Sequence, residues 1–180
     1  MTNSPVRPIK RLFWDIEVSP NVGLFWSPGR KVSINPEAIV EERKIICIGW
    51  KWEWEKRASV IGWDANQNDE AMIRKFMKIA EEADELVAHF GDSFDMPWFR
   101  GRALILGLNP TPLFKTVDTK DLAKKVARFN SNKLDDLGEL LGSGENVATD
   151  CLLADGLHLK VSCYEKAAKG LDALMPPQGL

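Results

Sequence analysis

Residues 11–18, RLFWDIEV, constrain the fold more than any other stretch of the chain. Leu12, Phe13, Trp14 and Ile16 are the residues of a buried strand, yet Asp15 and Glu17 interrupt them two positions apart. Residues i and i+2 of a strand point to the same face, so the two carboxylates project side by side. Like charges so placed repel, which requires either a solvated strand end or a positive partner. A divalent cation is such a partner. Mg²⁺ takes oxygen ligands and is held by one or two carboxylates together with substrate phosphates. Two such ions about 4 Å apart hold both the attacking and the leaving oxygen of a phosphodiester displacement.

The rest of the chain supplies a mixed α/β pattern. NVGLFWSPG reads as a short extended piece closed by Pro28-Gly29, and KVSINPEAIVEE as a surface loop with a helical turn. KIICIGWKWEWEKRASVIGW reads as a strand, a turn at EKR and a returning strand. Its alternating Trp50, Trp52 and Trp54 are expected on one face of the hairpin, beneath a helix. Asn68 or Asp69 is placed to cap a helix through EAMIRKFMKIAEEA, whose Met72, Phe76, Ile79 and Ala83 form an apolar stripe. ELVAHF reads as a buried strand, GDSF as a loop, and DMPWFRGRALILGL as a helix with Pro97 in its first turn, where a missing N–H is harmless. TVDTKDLAKKVARF is expected to be helical behind a Thr/Asp cap, and NKLDDLGELLG to be a further short helix.

A second acidic feature lies in VAHFGDSFDMPWF, residues 87–99, where Asp95 opens the helix after the strand and loop. An N-cap is one reading of that aspartate. Phe94 and Pro97-Trp98-Phe99, burying the adjacent backbone and leaving the carboxylate aimed one way, favour a site. FWDIEVSP followed by VAHFGDSFDMPWF resembles the first two motifs of the DEDD 3′–5′ exonucleases, and looks closest to stand-alone phage and bacterial members. The resemblance implies a ribonuclease H-like mixed sheet flanked by helices. It implies a metal-dependent 3′–5′ exonuclease, with Asp15, Glu17 and Asp95 binding two Mg²⁺ or Mn²⁺ ions and a single-stranded DNA or RNA 3′ end as substrate. It covers residues 10–142, leaving 143–180 as a divergent or irregular C-terminal tail.

The family's third motif, a Tyr or His followed four residues later by Asp, is not recognisable. Tyr164 is followed at that spacing by Ala168, and His158 by Ser162. Three alternatives stand. Asp150, Asp155 or Asp172 reaches the ions from an unusual direction; the residues after LLGSG belong to a shifted reading frame; or the protein keeps the fold and binds nucleic acid without cleaving it. A metal-dependent phosphatase or nucleotide hydrolase using the same carboxylates is a further rival.

His89 and Phe94 are candidates for substrate contact, Phe94 by stacking on an unpaired base. Phe90 stands where relatives often show Asn. Trp14 is expected in the core, while Trp26 fits either stacking or packing. Lys124, Lys125, Arg128 and Lys133 form a basic cluster suited to tracking a phosphate backbone, or a solvated helix face. A formal net charge of −2 gives no global signature of nucleic-acid binding, which an enzyme gripping phosphate only at a metal site does not need. Cys47, Cys151 and Cys163 fit neither a disulfide framework nor a CxxC metal site, so a reducing, cytoplasmic-type compartment is expected. The polar MTNSPVRPIKR start has no signal-like core, and no apolar run reaches the ~18 residues of a membrane span.

Overall fold

The computed structural model describes residues 7–27, 34–109 and 115–141. The expected tail 143–180, with Asp150, Asp155 and Asp172, lies outside them. RLFWDIEV forms a strand, β1 (Arg11–Val18), at the middle of a five-stranded sheet. A two-stranded ribbon follows, β2 (Val22–Gly23) and β3 (Ile39–Glu41), with a 3₁₀ turn over Pro36–Ala38 just before β3. Strand β4 (Ile45–Trp52) pairs antiparallel with β1, setting Trp14 opposite Trp50 and Asp15 opposite Gly49. Strand β5 (Ser59–Gly62) returns along β4 as the expected hairpin. Helix α1 (Glu70–Ala80) leads to β6 (Glu85–Ala88), parallel to β1, and helix α2 (Asp95–Ile105) leads to β7 (Lys115–Asp118), parallel to β6. Helices α3 (Thr119–Val126) and α4 (Leu134–Leu140) end the described chain. The sheet order is β5-β4-β1-β6-β7.

Strand alternation divides the work of β1. Leu12, Trp14 and Ile16 enter the main core, where Trp14 stacks on Phe76 of α1 at 5.1 Å between ring centroids and meets Phe99 of α2 edge-on at 5.7 Å. These aromatic contacts hold both helices against the strand that carries the acidic pair. Trp14 is core, as its place in the apolar run leads one to expect. The Trp50, Trp52, Trp54 stripe is buried only at its start. Trp50 packs near Phe76, Trp52 is half-buried, and Trp54 is 61% exposed, stacked on Trp52 at 5.0 Å. Strand β4 stops at Trp52, so the turn carries Trp54 past the reach of α1.

A buried ion pair ties α1 to α2. Asp69 does not cap α1; Arg102 Nε and Nη2 donate to its two oxygens at 2.8 Å each, and the Ile45 N–H donates at 3.0 Å. The neighbouring Asn68 side chain instead accepts the Glu70 N–H at 2.9 Å. Burial alone would raise the Asp69 carboxyl, but the Arg102 and Ile45 hydrogen bonds outweigh it and hold it below the ordinary range. Among the described residues no helix is long and apolar enough to cross a membrane.

Candidate active site

The parallel strands β1, β6 and β7 end on one edge of the sheet, and there the chemistry-bearing residues gather, as in other open α/β sheets. Pairing of β6 with β1 extends only from Arg11 to Phe13, so beyond Phe13 the edge of β1 is free to meet another element. Helix α2 arrives at that edge. Asp95, its first residue and only 2% exposed, accepts the Ile16 N–H on Oδ1 at 3.0 Å. Ile16 lies between Asp15 and Glu17, so this bond fixes the helix-opening carboxylate beside the acidic pair across 79 residues of sequence. The N-terminus of α2 favours a negative group there.

Asp15 is buried and Glu17 half-buried, and both line a cleft of about 310 Å³ together with Asp95. The Asp95 carboxyl is pushed up to about 8, first by burial and then by the charge of Asp15, with Asp118 adding to it and the Ile16 N–H opposing it. At neutral pH the Asp15–Asp95 pair therefore retains a proton. Among the described residues no three His, Cys, Asp or Glu side chains form a ready-made ligand cage. What the cleft offers is an all-oxygen donor set whose mutual repulsion a hard divalent cation would relieve, which fits Mg²⁺ or Mn²⁺.

Of the other residues singled out in the sequence, His89, Phe90, Phe94 and Lys133 line the cleft. Both ring nitrogens of His89 are engaged within the protein, Nδ1 with Thr119 Oγ1 and Nε2 with the Asn132 carbonyl, each at 2.9 Å. His89 thereby joins the end of β6 to the start of α3 and to the segment before α4. Lys124 and Arg128 are exposed and stand outside the cleft lining, and Lys124 Nζ pairs with Asp121 at 3.0 Å. Trp26 is fully exposed and also lies outside that lining.

Three contributors were not anticipated. Lys120 and Asp135 line the cleft from the first turns of α3 and α4. Asp118, at the end of β7, caps α3 by accepting from the Lys120 and Asp121 N–H groups on Oδ1 at 2.9 and 3.3 Å. It also accepts from Phe90 N–H on Oδ1 at 3.0 Å and from Asp92 N–H on Oδ2 at 3.3 Å, clamping the loop between β6 and α2. The VDTK tetrapeptide signalled the cap but not the clamp, because the loop it holds is 26–28 residues away.

A five-stranded mixed sheet flanked by helices, with an acidic cleft at the ends of its parallel strands, is the ribonuclease H-like architecture of polymerase-associated exonuclease domains. One solved structure with this fold is the family B DNA polymerase from the hyperthermophilic archaeon Pyrobaculum calidifontis, at TM-score 0.65 and 19% identity, over 93% of this chain and 24% of that one. This chain thus spans about a quarter of the polymerase's length. No curated protein matches the sequence. A family model described as a predicted 3′–5′ exonuclease related to the exonuclease domain of PolB matches residues 41–153, more than half of the chain, and the protein belongs to that family. The matched span contains Asp95 and Asp118, while the strand bearing Asp15 and Glu17 precedes it.

Proposed function

We propose that the protein is a metal-dependent 3′–5′ exonuclease acting on the end of single-stranded DNA or RNA, with Asp15, Glu17 and Asp95 holding two Mg²⁺ or Mn²⁺ ions. The observation that carries this reading is the Asp95–Ile16 hydrogen bond, which brings the third carboxylate to the strand of the other two. Such ions, when bound, neutralise the three carboxylates and the phosphodiester together and stabilise charge developing on the scissile phosphate. The protein's part is positional. Strand β1 holds Asp15 and Glu17 on one face, α2 seats Asp95, and Asp95 gives up its proton as the site loads. The cleft volume is at the small end of ligand pockets, which suits one terminal nucleotide. Lys120 and Lys133 supply positive charge for its phosphates.

The test is trimming of a 3′-labelled single strand with Mg²⁺ or Mn²⁺. Wild type should release nucleoside monophosphates stepwise, and Asp15→Asn should lose at least 100-fold in rate, roughly 3 kcal/mol of barrier. A second reading is a relative that binds nucleic acid without turnover. It draws on the sequence, in which the family's third motif is not recognisable: Tyr164 is followed four residues later by Ala168 and His158 by Ser162. Wild type that binds the strand but leaves it intact with both metals would select it.

A further inference from the structure

We infer that Phe90 and Lys120 form a clamp for the last nucleotide of the strand, with the Phe90 ring stacking on its base and Lys120 meeting its phosphate. This deepens the exonuclease reading and rests on it. Phe90 adopts φ +67°, a left-handed conformation that is strained for a residue with a bulky side chain and that Asn or Gly adopts more readily. The strain does not serve to bury the ring, which remains 40% exposed and lines the cleft beside the three carboxylates. Nor is its backbone loosely held. The Phe90 carbonyl accepts from Phe94 N–H at 3.0 Å and Ser93 N–H at 3.2 Å, while its own N–H donates to Asp118 Oδ1 at 3.0 Å.

That same oxygen accepts the Lys120 N–H at 2.9 Å, so one atom of Asp118 sets the backbones of both partners. Lys120 Nζ lies 3.8 Å from the Phe90 ring centroid. The ammonium group thus lies over one face of the ring in the lining of the acidic cleft, so a base would stack on the opposite face. An unpaired nucleobase stacks on aromatic rings whatever its identity, and an ammonium group meets phosphate as a compact charge. The arrangement fits a single-stranded end and gives little base preference. Asp118 is a positioning residue here, since it touches neither group of the nucleotide.

The test compares binding of two 5′-fluorescein single strands that differ only in their 3′-terminal residue, one a normal nucleotide and one abasic. Anisotropy is read with Ca²⁺ replacing Mg²⁺ to slow turnover. Wild type should prefer the base-ended strand about 5- to 100-fold, on the scale of one stacked base. Phe90→Ala should remove that preference while binding the abasic strand within about twofold of wild type, and Phe90→Trp should retain it; Phe90→Leu substitutes for the Ala variant if that one unfolds. Lys120→Ala should lower the slope of log K against log salt by about 0.7, one phosphate contact on a single strand. Equal loss on both strands in Phe90→Ala, or no loss on either, would overturn the clamp. Wild type that trims strands normally yet ignores the terminal base would sink this inference alone. Wild type that neither binds nor trims would sink it together with the exonuclease reading.

Discussion

Replacing Asp95 by Asn isolates the electrostatic cost of gathering carboxylates in this cleft. Asn matches Asp in shape and retains an oxygen to accept the Ile16 N–H, so only the charge is removed. In wild type the Asp95 carboxyl is raised from 3.8 to about 8, so between those values the folded chain holds a proton that the unfolded chain has released. Stability therefore falls as pH rises through this window and levels off above about 8. One proton so held shifts the folding constant by up to tenfold per pH unit, an upper limit of about 10⁴ over the window. Local relaxation and water entry cut such a penalty, leaving roughly 2–4 kcal/mol. Urea unfolding in EDTA from pH 4 to 9 reads this out. Wild type and Asp95→Asn should be close at pH 4 and separate progressively, with the Asn variant more stable by that amount at pH 9. Parallel curves, differing by less than about 0.5 kcal/mol in their pH dependence, would refute the argument.

Two other substitutions test how the scaffold holds the site. A Cβ added at Gly91 would lie 2.4 Å from Ala88 Cβ, and neither is a flexible side chain that can swing aside. Gly91→Ala should therefore cost about 1–3 kcal/mol in urea unfolding and slow trimming, because the displaced loop carries Phe90 and leads into Asp95. Arg102→Ala leaves Asp69 buried without its guanidinium and should cost about 3–5 kcal/mol. Asp69 is held below its ordinary 3.8, so it contributes stability above that pH which is lost on further acidification. The acid limb of the unfolding curve should accordingly flatten in Arg102→Ala, and an unchanged limb would show that the pair does not set the Asp69 ionisation.

The sequence exposed the site wherever a local rule was enough. Alternation placed Asp15 and Glu17 on one face of β1, and the apolar neighbours Leu12, Trp14 and Ile16 marked that strand as buried. The loop-to-helix passage placed Asp95 at a helix start, but its approach to β1 depends on β6 ceasing to pair after Phe13, a tertiary fact with no local signal. Strand β7 was hidden because its four residues run straight into α3, so KTVD read as the helix cap alone. The basic cluster was recognised by spacing, which cannot tell the cleft side of a helix from the solvent side. Of that cluster Lys133 lines the cleft, whereas Lys124 pairs with Asp121 outside it; Lys120, which also lines the cleft, did not belong to the cluster. In the sequence Phe90 shows only the loss of a polar residue, because its left-handed backbone and its contact with Lys120 emerge only when β7 is in place.

Calorimetric Mn²⁺ titration reads out whether Asp15, Glu17 and Asp95 act as one divalent-ion site. Run in two buffers of different ionisation heat, wild type should bind Mn²⁺ with release of a proton at pH 7 and bind more tightly as pH rises toward 8, while Asp15→Asn and Asp95→Asn bind at least tenfold more weakly. Mn²⁺ affinity and proton release that are unchanged in both variants would mean that these carboxylates do not share an ion.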